Sequence, residues 1–390
     1  MKKKPRIAID ALGIDIEGGA RTSILNLIIN IVNNTTEFDY VIYLSKKEPE
    51  LNSPQIKQVI LPFRKGIIAR LFMQLFLPFD VLLRRIDLIH FTKSQSSIVF
   101  FTKSIFTIHD LTIIQHPELH SNIDSWYWKN IQPAMAKAAD AIVTVSKNAA
   151  EDLHNIYNIP LNKITVVYNT SQFSDVDEDW TKDTDTENTV LKKYSLTEKY
   201  LLYVGIIALK KNLKTIIKAY DQMKGKEYNP PQLILIGPKY PESDGSSVFS
   251  IIKELGLDNE IRYLGRVPKQ ELYYVFKNAT IFLFPSIHEG FGIPCLEAME
   301  LGVPLIASNV SAIPEVVGDA GILLNDYMSP EVWANNIIDL LENNEKRTLQ
   351  IEKGEERVGQ IQKDLSYKRI IQLYKDLLKK KISPQNFKMV

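Results

Sequence analysis

Two glutamates, Glu289 and Glu297, stand eight positions apart in the ten-residue string H-E-G-F-G-I-P-C-L-E. Carboxylates that face one ligand could each accept hydrogen bonds from a pair of sugar hydroxyls, worth roughly 1.5–3 kcal/mol each when desolvated. Gly290 and Gly292 flank Phe291, so the backbone between the glutamates can approach a ligand closely. An alternative is a tight turn followed by a helix whose dipole favours glutamates.

Two lysines, Lys210 and Lys211, follow Gly205 at the predicted start of a helix. A glycine after a strand and cations at a helix N-terminus are suited to a diphosphate. Two lysines could neutralise a leaving diphosphate, so no metal is expected. The alternative is a solvated lysine pair. However, cations there oppose the helix dipole, which favours an anionic partner.

A double glycine, Gly18-Gly19, lies between the first predicted strand and its helix, where the backbone could again approach a ligand. It is not a G-x-G-x-x-G pattern, so a dinucleotide site is unsupported, and a plain turn is equally compatible. His109 stands at the carboxyl end of another predicted strand and would point towards a ligand, although a lone histidine is more often structural. Neighbouring Asp110 is as readily structural, and Ser146 is expected to cap a helix.

Short apolar runs typical of buried strands recur along the chain. In the first half they are Arg6–Asp10, Tyr40–Leu44, Asp87–Phe91, Ile105–His109 and Ala141–Val145. In the second half they are Tyr200–Val204, Gln232–Ile236, Glu260–Leu264, Thr280–Phe284 and Val303–Ala307. Helical patterns lie between several of them. Strands that alternate with helices predict the α/β class, here two Rossmann-like doubly wound domains.

Composition changes after residue 171, where acidic residues replace apolar ones and little surface can be buried. We predict an N-terminal domain over residues 1–172, an acidic linker or mobile loop over 173–197, and a C-terminal domain over 198–365. Ligands of open parallel sheets bind outside the carboxyl ends of the strands. The expected site is therefore a cleft between the two domains.

Chain length, net charge and cysteine content limit the classes of protein to which this chain can belong. A chain of 390 residues is long enough for two domains, and a net charge of +1 does not indicate nucleic-acid binding. The single cysteine, Cys295, excludes a disulfide within the chain and fits a reducing compartment, where we expect it to be a packed small residue. The apolar run near the N-terminus is too short for a signal sequence, and no run reaches the roughly 18 residues of a membrane span.

One apolar segment with basic residues, residues 64–85, could lie on the inner face of an anionic membrane. Its cations are Arg64, Lys65, Arg70, Arg84 and Arg85. An amphipathic helix packed on the first domain is the commoner outcome for such a pattern. A cytoplasmic location is expected, with peripheral membrane contact left open.

The Glu-x7-Glu string resembles the signature of the retaining glycosyltransferases of family 4, and the resemblance extends over essentially the whole chain. It implies that Glu289 contacts the donor sugar, that Glu297 holds the ribose hydroxyls, and that the backbone of residues 290–292 meets sugar and phosphate. Where the family has arginine and lysine, this chain has Lys210 and Lys211. A lysine keeps the charge of arginine but loses its bidentate geometry.

The resemblance assigns further roles. His109 lies near the donor sugar, the loop at Gly18 and Gly19 lines the cleft, and the backbone at Val267 touches the base. The C-terminal helix, residues 366–390, is expected to cross back to the N-terminal domain. The implied catalytic residues are thus His109, Lys211 and Glu289.

The implied function is transfer of a hexosyl group from a GDP- or UDP-sugar to a glycan or lipid-linked acceptor, with retention of configuration and without a cofactor. The architecture is that of glycosyltransferase-B, with the N-terminal domain on the acceptor side, and surface polysaccharide synthesis is the expected context. Alternatives are a nucleotide-sugar 2-epimerase of the same architecture or a non-catalytic glycan-binding protein. The presence of Lys211, Glu289 and Glu297 argues against the last.

Overall fold

A computed structural model describes most residues of the chain. They are 4–12, 14, 19–61, 72–119, 122–174, 176, 178–226, 228–239, 245–363 and 366–379. The chain divides into two compact units. Unit 1 consists of Met1–Thr170 with Asp364–Val390, and unit 2 consists of Ser171–Lys363.

Unit 1 contains a parallel sheet in the order β3-β2-β1-β4-β5-β6-β7 among its described strands. The strands are β1 Arg6–Asp10, β2 Asp39–Leu44, β3 Ile56–Ile60, β4 Leu88–Phe91, β5 Lys103–Thr107, β6 Ala141–Thr144 and β7 Ile164–Val166. The helices are α1 Gly19–Asn34, α2 Leu77–Leu83, α3 Thr112–Gln115, α4 Asn122–Ala138, α5 Lys147–Tyr157 and, near the end of the chain, α15 Ser366–Lys379. One apolar cluster lies on each face of the sheet, so its central strands are buried on both sides.

Unit 2 contains a second parallel sheet, in the order β10-β9-β8-β11-β12-β13 among its described strands. The strands are β8 Tyr200–Val204, β9 Gln232–Ile236, β10 Ile261–Gly265, β11 Ile281–Phe284, β12 Leu305–Ser308 and β13 Ile322–Leu324. The helices are α6 Glu178–Lys182, α7 Thr184–Lys193, α8 Leu213–Gly225, α9 Gly245–Glu254, α10 Lys269–Lys277, α11 Ile293–Glu300, α12 Ile313–Val317, α13 Pro330–Glu342 and α14 Asn344–Lys363.

Each sheet has one point where the strand order reverses direction, between β1 and β4 in unit 1 and between β8 and β11 in unit 2. The connections that leave these neighbouring strands run to opposite sides, which opens a crevice at the carboxyl end of the sheet. The doubly wound α/β class predicted from the sequence is confirmed. Ligand sites are therefore expected in the loops after β1 and β4 in unit 1 and after β8 and β11 in unit 2.

The acidic stretch of residues 173–197 is not the linker or mobile loop that its composition indicated, and that prediction was wrong. It carries α6 and α7, and α7 packs on α10 within unit 2. Val190 is buried, and Glu187 accepts hydrogen bonds from Lys277 Nζ (3.2 Å) and Asn278 Nδ2 (2.8 Å). A few isolated apolar side chains, among them Phe173 and Trp180, which both contact Tyr273, hold the segment together with the paired charges. Apolar side chains this far apart in the sequence produce no apolar periodicity.

The C-terminal helix α15 belongs to unit 1, where it packs against α1. Its Tyr374 is fully buried and its hydroxyl lies 2.8 Å from His90 Nδ1, while His90 Nε2 lies 2.8 Å from Thr107 Oγ1. Burial lowers the pKa of His90 to about 3, so its imidazole is neutral. His90 thus has a structural role, joining α15 to the end of β5.

Candidate functional site

The loops after β8 and β11 meet at the order reversal of unit 2. The backbone N–H of Ile287 donates to the carbonyl of Lys210 (2.9 Å), which ties one loop to the other. Beside this bond, Lys211 Nζ forms a short ion pair with Glu289 Oε1, and the two side chains are only 11% and 13% exposed. The ammonium group also lies 5.3 Å from the centroid of the Phe284 ring. Two residues that the sequence assigned to separate ligand groups are therefore direct partners.

The ion pair fixes the charge state of Glu289. Burial acts to raise the pKa of this carboxyl group, but the charges of Lys211 and Lys210 outweigh burial and hold the pKa below its usual value. Glu289 is thus a carboxylate at neutral pH. An ammonium group has three donors, so Lys211 can hold Glu289 with one and still offer others to a phosphate.

The lysines lie in a 3-10 turn, Leu209–Lys211, rather than in the first turn of the helix as the sequence indicated. Asn212 follows with φ of 49°, in the left-handed region, and α8 begins at Leu213. Asn212 Oδ1 accepts a hydrogen bond from Thr215 Oγ1 (2.7 Å), which stabilises this sharp exit. The turn directs Lys211 back towards the loop after β11.

The string between the two glutamates presents backbone rather than side chain. Phe291 is 3% exposed, so its side chain is packed inside the protein and is not available to a ligand. Gly292 has φ of 102°, a conformation that favours glycine, and it immediately precedes α11. The loop after β12 holds this string in place, because the backbone N–H of Glu289 donates a hydrogen bond to Ser311 Oγ (2.9 Å). Gly290 is buried in the same turn.

Glu297 is the fifth residue of α11. The residue is 2% exposed, and its Oε1 accepts hydrogen bonds from Gln172 Nε2 (2.9 Å) and, more weakly, Gln172 N (3.5 Å). Burial raises its pKa to about 8 against these hydrogen bonds, so Glu297 is protonated at neutral pH. Cys295 is buried, as expected of a packed residue.

Val267 lies in the loop after β10, next to Gly265 with its φ of 70°. β9 and β8 separate β10 from β11, and adjacent strands are about 4.8 Å apart. The carboxyl ends of β10 and β11 are therefore about 14 Å apart along one sheet edge, and Val267 and Glu289 lie in the loops that follow them. An extended ligand lying along this edge could contact both ends, whereas a compact one could not.

In unit 1, His109 lies in the loop after β5, the strand next to β4. Its Nε2 lies 2.9 Å from the carbonyl oxygen of Thr92, which can only accept, so Nε2 carries the proton and Nδ1 is the acceptor. Desolvation lowers the pKa of His109, which keeps it neutral. The neighbouring Asp110 Oδ1 accepts from Thr112 N (3.0 Å) at the start of α3, a structural role. Ser146 caps α5 as predicted, accepting from Ala149 N (3.0 Å).

Asp10 is a buried carboxyl group that the sequence did not single out. It ends β1, its Oδ1 accepts from Leu12 N (3.0 Å), and its carbonyl accepts from Thr92 Oγ1 (2.6 Å). Burial raises its pKa to about 6, with Leu12 N–H and the charge of Lys93 opposing the rise. The only signal in the sequence was an acidic residue ending an apolar strand.

Gly18 lies outside the described residues, and Gly19 begins α1.

Replacing Asp10 by asparagine should stabilise unit 1 at pH 7.5. The side-chain oxygen that bonds Leu12 N–H is kept, and the buried charge is removed. Neutral Asp10 makes its full contribution to the free energy of unfolding below pH 3.8, and this contribution is lost as the pH rises through about 6. We expect Asp10→Asn to gain about 1–3 kcal/mol at pH 7.5 and almost nothing at pH 3.5. Thermal unfolding at both pH values measures this.

The matched control is Asp87→Asn, because Asp87 Oδ2 also accepts a backbone N–H, that of Arg6 (2.7 Å), but at an exposed position. It should not stabilise the protein. A lower unfolding temperature for Asp10→Asn at pH 7.5 would show that the carboxylate is held by favourable contacts rather than at a cost.

Two Rossmann-like units, each with its loops gathered at a strand-order reversal, are the architecture of proteins with the glycosyltransferase-B fold. Family models match both units: "Glycosyltransferase Family 4" over residues 17–170 and "Glycosyl transferases group 1" over residues 186–357. The chain belongs to the group 1 glycosyltransferases of family 4. The family inferred from the Glu-x7-Glu string is confirmed.

Curated relatives include two proteins of Escherichia coli. O-antigen chain mannosyltransferase B is 32% identical over 254 residues, which are 65% of this chain and 65% of the relative. The serotype-specific mannosyltransferase WbdA is 28% identical over 232 residues, 58% of this chain but 28% of that longer protein. Among solved structures, sucrose-phosphate synthase from Thermosynechococcus elongatus superimposes with a TM-score of 0.75 at 19% identity, covering 96% of this chain and 99% of that one. At that identity, the likeness shows a shared fold.

Proposed function

We propose that this protein transfers a mannosyl group from GDP-mannose to a glycan or lipid-linked glycan acceptor in the synthesis of a surface polysaccharide. The observation that carries the proposal is the buried pair Lys211–Glu289 at the order reversal of the unit 2 sheet. It combines a cation suited to a diphosphate with a carboxylate suited to sugar hydroxyls, in the loops where such a sheet binds ligands. The choice of mannose follows from the names of the relatives.

In the proposed donor site, Lys211 and Lys210 neutralise the diphosphate, Glu289 accepts hydrogen bonds from sugar hydroxyls, and Glu297 receives the ribose. The backbone of residues 290–292 contacts sugar and phosphate, and Val267 contacts the base. We further propose that Nδ1 of His109 accepts a hydrogen bond from a sugar hydroxyl. Gly18 and Gly19 complete the set as backbone contacts to the donor.

We propose front-face substitution with retention. The bond between the sugar C1 and the phosphate oxygen breaks, the bond from C1 to the acceptor oxygen forms on the same face, and the acceptor proton passes to the leaving phosphate oxygen. The barrier falls when positive charge faces the leaving group. Lys210 and Lys211 supply that charge, so the reaction is expected to need no metal.

The test is incubation with GDP-mannose and a mannose-terminated glycoside, followed by proton NMR of the product, with UDP-glucose as the competing donor class. We expect an α-mannosidic product, unchanged in rate by EDTA. A β-linked product would overturn retention, loss of rate in EDTA would overturn metal independence, and transfer from UDP-glucose alone would overturn the choice of donor.

We also propose that unit 1 contacts an anionic membrane through one exposed apolar face. No described helix is long and apolar enough to cross a membrane. At and before α2, however, five large apolar side chains are 56–81% exposed: Leu75, Phe76, Phe79, Leu82 and Leu83. Leu77 and Val81 pack inwards, so the helix has two apolar faces and only one is covered. Exposed apolar side chains beside basic residues are typical of interfacial helices.

Charge supports a lipid surface as the partner. Residues 62–85 contain five basic residues and one acidic residue, Asp80, although residues 62–71 lie outside the described residues. We expect Leu83→Glu to lower binding to phosphatidylcholine vesicles containing phosphatidylglycerol at least fivefold in a co-sedimentation assay. Leu349→Glu is the matched control, since Leu349 is 51% exposed in unit 2. Equal loss in both variants, or no binding by the wild type, would contradict the assignment.

A further inference from the structure

One polar contact of the donor site is not explained by the proposed ligand contacts. Gln172 directs both its side-chain amide and its backbone N–H at the same oxygen, Glu297 Oε1, at 2.9 and 3.5 Å. These are the hydrogen bonds that Glu297 receives within the described part of the chain. Because both fall on Oε1, the other oxygen, Oε2, remains for a ligand, and it is an acceptor once binding has ionised the carboxyl group.

The turn that carries Gln172 is firmly anchored in unit 2. The next residue, Phe173, is buried and packs edge-on against Tyr273 and Phe276, with ring centroids 5.8 and 6.3 Å away. Phe173 N–H also donates to Ser171 Oγ (2.9 Å), which closes the turn. These contacts fix the backbone at Gln172, so its N–H and the start of its side chain have a set position beside Glu297. The two hydrogen bonds to Oε1 then favour one orientation of the carboxyl group.

Orientation matters for what Glu297 can recognise. A carboxyl group that rotates freely can accept a hydrogen bond from a ligand hydroxyl in several positions. A fixed carboxyl group accepts one only from a hydroxyl that lies in a defined position. A ribose has a 2′-hydroxyl and a deoxyribose does not. Leaving a desolvated, charged acceptor without its donor costs about 1.5–3 kcal/mol, equivalent to roughly 10- to 100-fold in affinity.

We propose that Gln172 is a positioning residue that fixes Glu297 for the ribose of the nucleotide and thereby makes the protein select ribonucleotides over deoxyribonucleotides. The proposal rests on the proposed function, because it requires a nucleotide at Glu297. Gln172 lies outside the Glu-x7-Glu string and 125 positions from its partner. It adds a specificity determinant from a different part of the chain.

The experiment compares the Kd of GDP and of 2′-deoxy-GDP by calorimetry. For the wild type we expect GDP to bind at least tenfold more tightly. In Gln172→Leu, and in Gln172→Met, which keeps the unbranched shape, the ratio should fall to about threefold or less. Thermal unfolding of each variant checks that unit 2 is folded, and retained binding of 2′-deoxy-GDP checks the rest of the site.

A matched control exists on the same helix. Gln362 Nε2 donates to Glu300 Oε1 (3.0 Å), an amide–carboxylate pair of the same kind at an exposed position. Gln362→Leu should keep the wild-type ratio. The proposal is overturned if the wild type does not discriminate, or if Gln172→Leu discriminates as well as the wild type. If neither GDP nor UDP binds the wild type at all, the proposed function itself fails and the inference with it.

Discussion

Lys211→Ala should reduce sugar transfer at least 100-fold and destabilise unit 2 by about 3–5 kcal/mol. The loss of activity follows from removing a cation that faces the leaving diphosphate. The loss of stability follows because Glu289, 13% exposed, would be left as an unpaired buried charge. Initial rates with GDP-mannose and thermal unfolding measure the two effects separately.

The pair allows the two effects to be separated. Lys211→Met with Glu289→Gln removes both charges, so we expect most of the lost stability to return while activity stays absent. Lys224→Ala is the control, since Lys224 pairs with Glu260 at a more exposed position, 40% and 32%, and should cost 1 kcal/mol or less. Near-normal transfer in Lys211→Ala would remove Lys211 from the proposed machinery.

Nucleotide binding should release a proton near neutral pH. Glu297 has a pKa of about 8 in the protein without ligand, so it is protonated at pH 7. Ribose hydroxyls donate to the carboxylate, and binding therefore favours its ionised form. We expect GDP affinity to rise up to tenfold per pH unit as the pH approaches 8 and then to level off. At pH 7, the calorimetric enthalpy should vary with the ionisation enthalpy of the buffer.

Glu297→Gln is the diagnostic variant, because it keeps the shape and cannot ionise. It should bind GDP at least tenfold more weakly at pH 8.5 and abolish the buffer-dependent enthalpy. Neutral Glu297 makes its full contribution to the free energy of unfolding below pH 4.5, and this contribution is lost as the pH rises through about 8. Because the variant cannot ionise, it should unfold at a higher temperature than the wild type at pH 8.5. A buffer-dependent enthalpy that persists in the variant would assign the proton to another group.

The fold could be predicted from the sequence where the strands are apolar and lie in the middle of their sheets. β8 and β9 were predicted to the residue, since every residue of β8 and all but the first residue of β9 are apolar. β3, β7 and β13 were missed. They lie at or next to the edges of the sheets, where β3 carries Lys57 and Gln58 on a half-buried strand and the other two are three residues long. A short edge strand is defined by its neighbour, which apolar periodicity along the chain does not reveal.

The components of the site were predictable, but their pairing was not. Lys211 and Glu289 stand out by type and by position after a strand, yet their ion pair joins positions 78 apart and depends on β8 lying next to β11. Gln172 and Asp10 belong to no recognisable string and acquire their significance through burial. The roles of His109, Val267, Gly18 and Gly19 remain predictions from resemblance.

The most direct test of the central claim is calorimetric titration of GDP-mannose into the wild type and into Lys211→Met, with Lys224→Ala as the reference variant. If the loops after β8 and β11 bind the donor, the wild type and the reference should bind one equivalent with equal affinity. Lys211→Met should bind at least 30-fold more weakly, since about 2 kcal/mol is expected from one charged hydrogen bond to phosphate. Equal affinity in all three proteins would contradict the account, as would the absence of binding by the wild type to any GDP- or UDP-sugar.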